Sequence, residues 1–300
     1  MSLRGVYFIS STKNSPMTIN LEGGSRTDGA AVNGWQKYPW MAATANFPLS
    51  QLWLLQLAKG ETDMYTIRNL QGGTYMCLAE GPDNGAPIIG RVPTGAEGNR
   101  RFWIIRQKNG SGPYMIQNVH TKTFVDLNRG GTVNGTRIQG WNGEGGQWSY
   151  KGANQLWDFE RVSRSGPEVH TILKESPNLA QDFASYKVDG EYLILPQALL
   201  SEIWKGSTLP GRKWRADIFD CDDFAAVYKG CVATWGDDSI HADGVSLLCG
   251  LMLGRSESHS KPGHAYNFTL SNDCLRVLFF EPQDNTFKND NGYIPYLGYF

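Results

Sequence analysis

The chain has 300 residues with 28 Lys and Arg against 29 Asp and Glu, a net charge of −1. That length suits two domains of ordinary size, and the balanced charge with no basic run argues against a nucleic-acid surface. No stretch approaches the ~18 apolar residues of a membrane-spanning helix, and mean hydropathy is −0.39.

The opening residues, Met1 to Ser10, lack the apolar core of a secretory signal and read at once as a strand, so cytoplasmic synthesis is expected. Five scattered cysteines, an odd number, are not a disulfide framework and fit a reducing compartment. Charged residues make up only 19%, below the usual ~25%, while 35 glycines and 10 tryptophans are an excess. Short strands, tight turns and a surface suited to neutral polar ligands follow from that balance.

Along the first half one unit recurs three times with a period of roughly fifty residues, the mark of a repeat architecture. The first copy runs Met17–Leu21, Asp28–Trp35 and Ser50–Trp53. The second runs Thr74–Leu78, Asn84–Arg91 and Arg100–Trp103, and the third Thr123–Leu127, Asn134–Trp141 and Asn154–Trp157. Strands at Tyr7–Ile9, Tyr65–Ile67 and Tyr114–Ile116 precede them. Asn or Asp followed by Gly supplies the positive-φ turn of a tight hairpin. One such unit cannot bury its own apolar face. Three closed into a barrel can, with Trp53, Trp103 and Trp157 meeting as core.

This pattern, two copies of which keep Gln-x-Trp, resembles the ricin-type β-trefoil lectins. The resemblance implies a sugar site in each repeat: an acid on the early strand, an amide and an aromatic in the Gly-rich segment, and Asn-Gln before the last Trp. Copy three keeps all five, Asp126, Gln139, Trp141, Asn154 and Gln155. Copy one is half intact, with Asn20, Asn33, Trp35, Ser50 and Gln51. Copy two has lost the set to Cys77, Ile89, Arg91, Arg100 and Arg101. Sugar binding is therefore expected most strongly in the third repeat. The resemblance implies galactosides as ligands.

After Arg161 the repeat stops, and Ser163–Pro167 reads as a linker. The expected division is a trefoil over 1–162 and a mixed α+β domain over 163–300. Helices are expected at Pro177–Phe183 and Pro196–Trp204, both opening at proline. A longer one over Asp222–Trp235 carries Phe224, Val227, Tyr228, Cys231 and Trp235 on one face. Strands are expected at His264–Leu270 and Leu275–Glu281. The apolar tail 292–300 suits either the core or a dimer seam.

Cys221 falls at the start of the long helix, where the helix dipole favours a thiolate; a buried structural cysteine is the plain alternative. A hairpin turning between Asn272 and Asp273 sets Leu270 opposite Leu275, Phe268 opposite Val277, Tyr266 opposite Phe279 and His264 opposite Glu281. That register ends one face in a His beside a Glu, either a catalytic pair or an ordinary surface pair. Asp220, Asp222 and Asp223 crowd the cysteine, and their charge would oppose its ionisation unless a hard cation neutralised them. Asp222 and Asp223 are the expected Ca²⁺ ligands; capping the helix is their alternative use. His120, His170, His241 and His259 lack zinc spacing.

Cysteine, histidine and acid in this order match papain-like proteases. The sequences Asp-Cys-Asp-Asp-Phe, Gly-His-Ala-Tyr-Asn-Phe and Phe-Phe-Glu-Pro-Gln behind a trefoil resemble the mushroom chimerolectins typified by the Marasmius oreades agglutinin. That resemblance spans essentially the whole chain. It implies a papain-like second domain with a Cys221–His264–Glu281 triad, Trp214 in a supporting role, Ca²⁺-dependent cleavage of a peptide substrate, and a homodimer formed through that domain. It further implies glycans of glycoproteins or glycolipids as partners and a defence role at external glycosylated surfaces. The rival is a lectin whose second domain only dimerises. A glycosidase fusion lacks a convincing acid pair in the second half.

Overall fold

The computed structural model describes residues 3–13, 17–40, 47–81, 84–92, 94–95, 98–144, 148–176, 179–256 and 262–300. It divides into two compact units, one of residues 1–39, 48–162 and 240–243 and the other of 40–47, 163–239 and 244–300. The continuous division expected at 162/163 thus has two exceptions. Phe47 stacks on Trp40 and Trp235 of the second unit. Residues near 241 are tied to the first, where His241 N–H donates to Leu70 and Asp243 pairs with Arg68 at 3.0 Å.

Among the described residues the first unit is built from twelve strands, four per repeat. Repeat one holds β1 (Gly5–Ser11), β2 (Met17–Leu21), β3 (Ala30–Gln36) and β4 (Trp53–Leu57). Repeat two holds β5 (Met64–Asn69), β6 (Tyr75–Leu78), β7 (Ile88–Arg91) and β8 (Trp103–Gln107). Repeat three holds β9 (Tyr114–Asn118), β10 (Phe124–Leu127), β11 (Thr136–Trp141) and β12 (Trp157–Arg161). The first and last strand of each repeat close a six-stranded antiparallel barrel, β1–β4–β5–β8–β9–β12 and back to β1. The middle strands form three hairpins, β2–β3, β6–β7 and β10–β11. Trp53, Trp103 and Trp157 are fully buried in one core. Each indole N–H donates to a carbonyl of its own repeat's second strand: Ile19, Met76 and Val125, at 2.9–3.0 Å.

The Asp-Gly and Asn-Gly turns do more than close hairpins. Gly29, Gly85 and Gly135 have φ between 82° and 86°, and each donates its N–H to a glycine carbonyl of another repeat, Gly90, Gly140 and Gly34 in turn. The preceding side chain accepts from the same strand: Asp28 from Val92 N–H, Asn84 from Asn142 N–H and Asn134 from Gln36 N–H. Repeat one clasps two, two clasps three, and three clasps one.

The second unit is mixed α and β. Ser163–Ser165 is a strand, β13, and Gly166–Lys174 is helix α1, capped reciprocally by Ser165 and Glu168. The segment expected as a linker is therefore structured, because Ser-x-x-Glu with a proline in the first turn is itself a helix start. Beyond β14 (Ala184–Tyr186) and β15 (Glu191–Leu193) comes α2 (Gln197–Gly206), with Pro196 at its N-cap. Of the helix expected at Pro177–Phe183, residues 177–178 lie outside the described residues and 179–183 are turn and irregular chain.

Helix α3 runs Cys221–Ser239. It buries Phe224, Ala225, Tyr228, Val232 and Gly236, whereas Val227, Cys231 and Trp235 of the expected face are only half-buried. Strand β16 (Ser246–Leu247) completes a small sheet ordered β13-β15-β16. A larger one contains β17 (Gly250–Arg255), β18 (His264–Leu270), β19 (Val277–Glu281), β20 (Thr286–Lys288) and β21 (Ile294–Tyr299), ordered β14-β21-β17-β18-β19-β20. The C-terminal tail is thus an internal strand, and Phe300 is buried among Tyr192 and Phe268. None of the five cysteines forms a disulfide, and among the described residues no helix is long and apolar enough to cross a membrane.

Candidate functional site

Two sites emerge, one in each unit. In the third repeat the β10–β11 register sets Asp126 directly opposite Gln139. Asn154 donates its side-chain amide to Asp126 Oδ2, and Gln139 Nε2 lies 3.5 Å from Oδ1. Burial pushes the Asp126 carboxyl up to about 6, against the side-chain amides of Gln155 and Gln139 and the Lys13 ammonium. Trp141, half-buried at the end of β11, offers an aromatic face beside these groups. Gly85 of the second repeat closes this site: a Cβ there would stand 3.7 Å from the Trp141 ring and 4.0 Å from Gln139 Oε1. A buried acid, converging amides and an open aromatic face suit a ligand rich in hydroxyls.

Gln155 does a second job besides bearing on the Asp126 carboxyl. It is fully buried; its Oε1 accepts from Lys151 N–H at 2.7 Å and its amide faces the carbonyls of Trp141 and Asn142. Gln51 repeats this in the first repeat, accepting from Tyr38 N–H and donating to the Gln36 carbonyl, both at 2.9 Å. The glutamine of Gln-x-Trp thus also holds the loop that carries the aromatic. Sequence reading missed Asn128, whose Oδ1 lies 3.4 Å from Gln139 Nε2, along with Lys13 and Gly85. The Asn-Gly pair was visible, but its reach into the next repeat was not.

In the first repeat Asn20 faces Asn33, donating to its Oδ1 at 3.1 Å, and Trp35 is half-buried. An amide pair stands where the third repeat has acid and amide, so the fixed anionic acceptor is gone. In the second repeat Cys77 faces Ile89, Arg91 pairs with Asp28 at 2.6 Å, and Arg100 donates to the Ala79 carbonyl.

The second site lies at the N-terminus of α3. His264 opens β18 and Glu281 closes β19, and His264 Nε2 lies 2.6 Å from Glu281 Oε2. Both side chains are mostly buried, and Gln283 N–H donates to the other carboxylate oxygen at 3.2 Å. The hairpin register differs from the expected one: Leu270 pairs with Val277 and Phe268 with Phe279. The turn is longer than a tight hairpin, spanning Ser271 to Arg276 with Cys274 at φ 57°. A shift of two residues preserves the face, so His264 and Glu281 become diagonal neighbours and still meet.

Cys221 and His264 line one cavity of about 440 Å³. Burial pushes the Cys221 thiol up, Asp220 and Asp222 add to the rise, and a hydrogen bond from the Ala265 backbone opposes it.

Asp220, Cys221 and Asp222 bring their ligand atoms within 4.8 Å of one another. The two carboxyls contact each other, which lowers Asp220 and raises Asp222, and Asp220 Oδ1 is buried without a partner. Paired oxygens with an unmet acceptor fit a hard cation such as Ca²⁺. Asp223 is not in this group. Its carboxylate accepts from Asp220 N–H at 3.1 Å and caps α3, so Asp220 replaces it beside Asp222. Trp214 is 55% exposed and does not line the cavity.

Known proteins resemble the chain over both halves. Residues 49–141 match a family described as ricin-type beta-trefoil lectin domain-like, and residues 192–287 match one described as agglutinin C-terminal. The Polyporus squamosus lectin, solved bound to the human-type influenza-binding epitope Neu5Aca2-6Galb1-4GlcNAc, is 38% identical with a TM-score of 0.84, each chain fully covered. A structure of a PSL1a–E64 complex is 37% identical, also at 0.84 and with full coverage of both chains. No curated protein matches the chain.

Proposed function

Because the chain belongs, over its full length, to the family of the Polyporus squamosus lectin, a ricin-type trefoil joined to an agglutinin C-terminal domain, we propose that it binds glycans and carries a second, hydrolytic site. The observation that carries the first part is the Asp126 cluster, a buried carboxylate ringed by amides and flanked by Trp141. Adjacent sugar hydroxyls donate to the carboxylate, the Asn154 and Gln139 amides complete the pattern, and the C–H face of the ring lies on the indole. The third repeat is the principal site, and galactosides are its ligand class. Asp126→Asn and Trp141→Ala should each lower affinity on a galactoside array by about ten-fold or more. Unchanged affinity in both variants would sink the assignment.

The second unit is read as a papain-like, Ca²⁺-dependent cysteine peptidase with Cys221, His264 and Glu281 as its machinery. Support comes from the His264–Glu281 bond and from the cavity that His264 shares with Cys221. Glu281 holds Nε2 of the ring, which leaves Nδ1 to take the thiol proton as sulfur attacks the peptide carbonyl. The same proton passes to the leaving amine, and water then hydrolyses the thioester formed on Cys221. Asp220 and Asp222 would hold Ca²⁺, whose charge neutralises the two carboxylates beside the thiol. A second reading, a unit without catalysis that serves only to dimerise, is favoured by the raised Cys221 thiol. Chelation separates the two. A peptidase should lose Cys221 alkylation and peptide cleavage together when Ca²⁺ is removed and regain both on its return; a thiol equally inert with and without Ca²⁺ would leave the lectin alone.

A further inference from the structure

A histidine that carries a proton between two partners has to be fixed both in position and in plane. Glu281 secures the first, with Nε2 of His264 2.6 Å from its Oε2. It does not secure the second. Nε2 lies close to the line of the Cβ–Cγ bond, so the ring can turn about that line with the bond to Glu281 kept, and Nδ1 swings as it turns. The wells of this torsion are broad, and a further contact has to set the plane. Tyr293 supplies one. Its ring centroid stands 4.9 Å from that of His264 with 34° between the planes. The fully buried Tyr266 completes the cluster, 5.8 Å from His264 and 6.4 Å from Tyr293. Two features of the backbone bring Tyr293 there. In the β17–β21 pairing Leu253 faces Leu297 but Gly254 faces Pro295, so Tyr296 is an extra residue, a bulge that re-aims the chain beside it. Gly254 also pairs with His264 across β17–β18, and a Cβ on it would stand 2.7 Å from Tyr293 Cβ and 3.1 Å from the Tyr266 hydroxyl oxygen. Glycine at this position leaves the room that the tyrosine occupies.

We propose that Tyr293 is a positioning residue of the second site: its ring face sets the plane of the His264 imidazole, so that Nδ1 is aimed at the Cys221 thiol when the proton moves. The proposal rests on the peptidase reading. Tyr293 does not line the cavity that Cys221 and His264 share, so it acts through the histidine and not on a substrate. The flat ring carries the role and the hydroxyl does not. Phenylalanine should therefore serve, and leucine, which fills similar space without a plane, should not.

The test compares Tyr293→Phe and Tyr293→Leu as full chains in Ca²⁺, with kcat and KM read separately on a quenched fluorescent peptide. The Phe variant should stay within ~2-fold of the parent in both constants, whereas Leu should lower kcat at least ~10-fold and leave KM within ~2-fold. Gly254→Ala, which pushes the ring away without altering it, should lower kcat in the same way and carries the test if the Leu variant does not fold. Normal kcat in the Leu variant, or an equal loss in the Phe variant, overturns the positioning role and leaves the peptidase standing. A change confined to KM does the same. If the parent cuts no peptide the peptidase reading falls, and Tyr293 is judged by alkylation of Cys221 with iodoacetamide. Tyr293→Leu should then slow alkylation at least ~10-fold, as His264→Ala does, while Tyr293→Phe does not; equal rates in all four chains overturn the proposal.

Discussion

Asp126 shows how one side chain serves binding at the expense of folding. Its carboxyl, pushed up to about 6 by burial, is the proposed acceptor of sugar hydroxyls, a role that needs it charged. A buried acid whose folded value lies above its unfolded one binds its proton more strongly in the native state. Its contribution to stability is therefore greatest in acid and declines as pH rises from about 4 through about 6, while sugar affinity climbs over the same window. Isothermal titration with a galactoside between pH 4.5 and 7.5 should show affinity rising through about 6, and Asp126→Asn should flatten the curve. The candidate acid was legible because its residue type differs from the Asn and Cys of the other repeats. The role of Gln155 was not legible: a buried amide that pins a loop and an exposed one that meets a ligand share the same letter, and only burial separates them.

At the scale of elements, spacing was informative where the period was strict and silent where turns differ in length. Strands β1, β5 and β9 and helix α2 follow directly from alternation and from proline at a helix start. The β18–β19 turn could not be counted correctly, since Ser-Asn-Asp suggests a two-residue loop whereas the chain turns over Ser271–Arg276. The parity of the strands rescued the His264–Glu281 pair, because an even slip leaves faces unchanged. Helix α3 separates the aspartate that caps it from the one proposed to hold Ca²⁺, which the sequence alone could not sort. Asp223→Ala removes a cap and should cost about 1 kcal/mol in urea unfolding while leaving the proposed Ca²⁺ binding intact. Asp222→Asn should do the converse, lowering apparent Ca²⁺ affinity with little effect on the cap.

For the whole molecule, the repeat count was readable, but the mutual bracing of the repeats was not, since no local window contains both partners of a clasp. Asn84 and Gly85 lie in one repeat and act on Trp141 and Asn142 of the next, more than fifty positions along the chain. The proposed peptidase and the lectin should nonetheless separate by mutation. Cys221→Ala should end cleavage and keep hemagglutination, whereas Trp141→Ala with Asp126→Asn should weaken agglutination and keep cleavage.

The clasp running from repeat one to two, two to three and three back to one has no free end. Cutting out any single repeat strands one donor turn and one acceptor strand, together with two open barrel edges. A fragment of residues 1–107 should accordingly remain unfolded or assemble with other copies until the circle is restored, which circular dichroism and sedimentation would report.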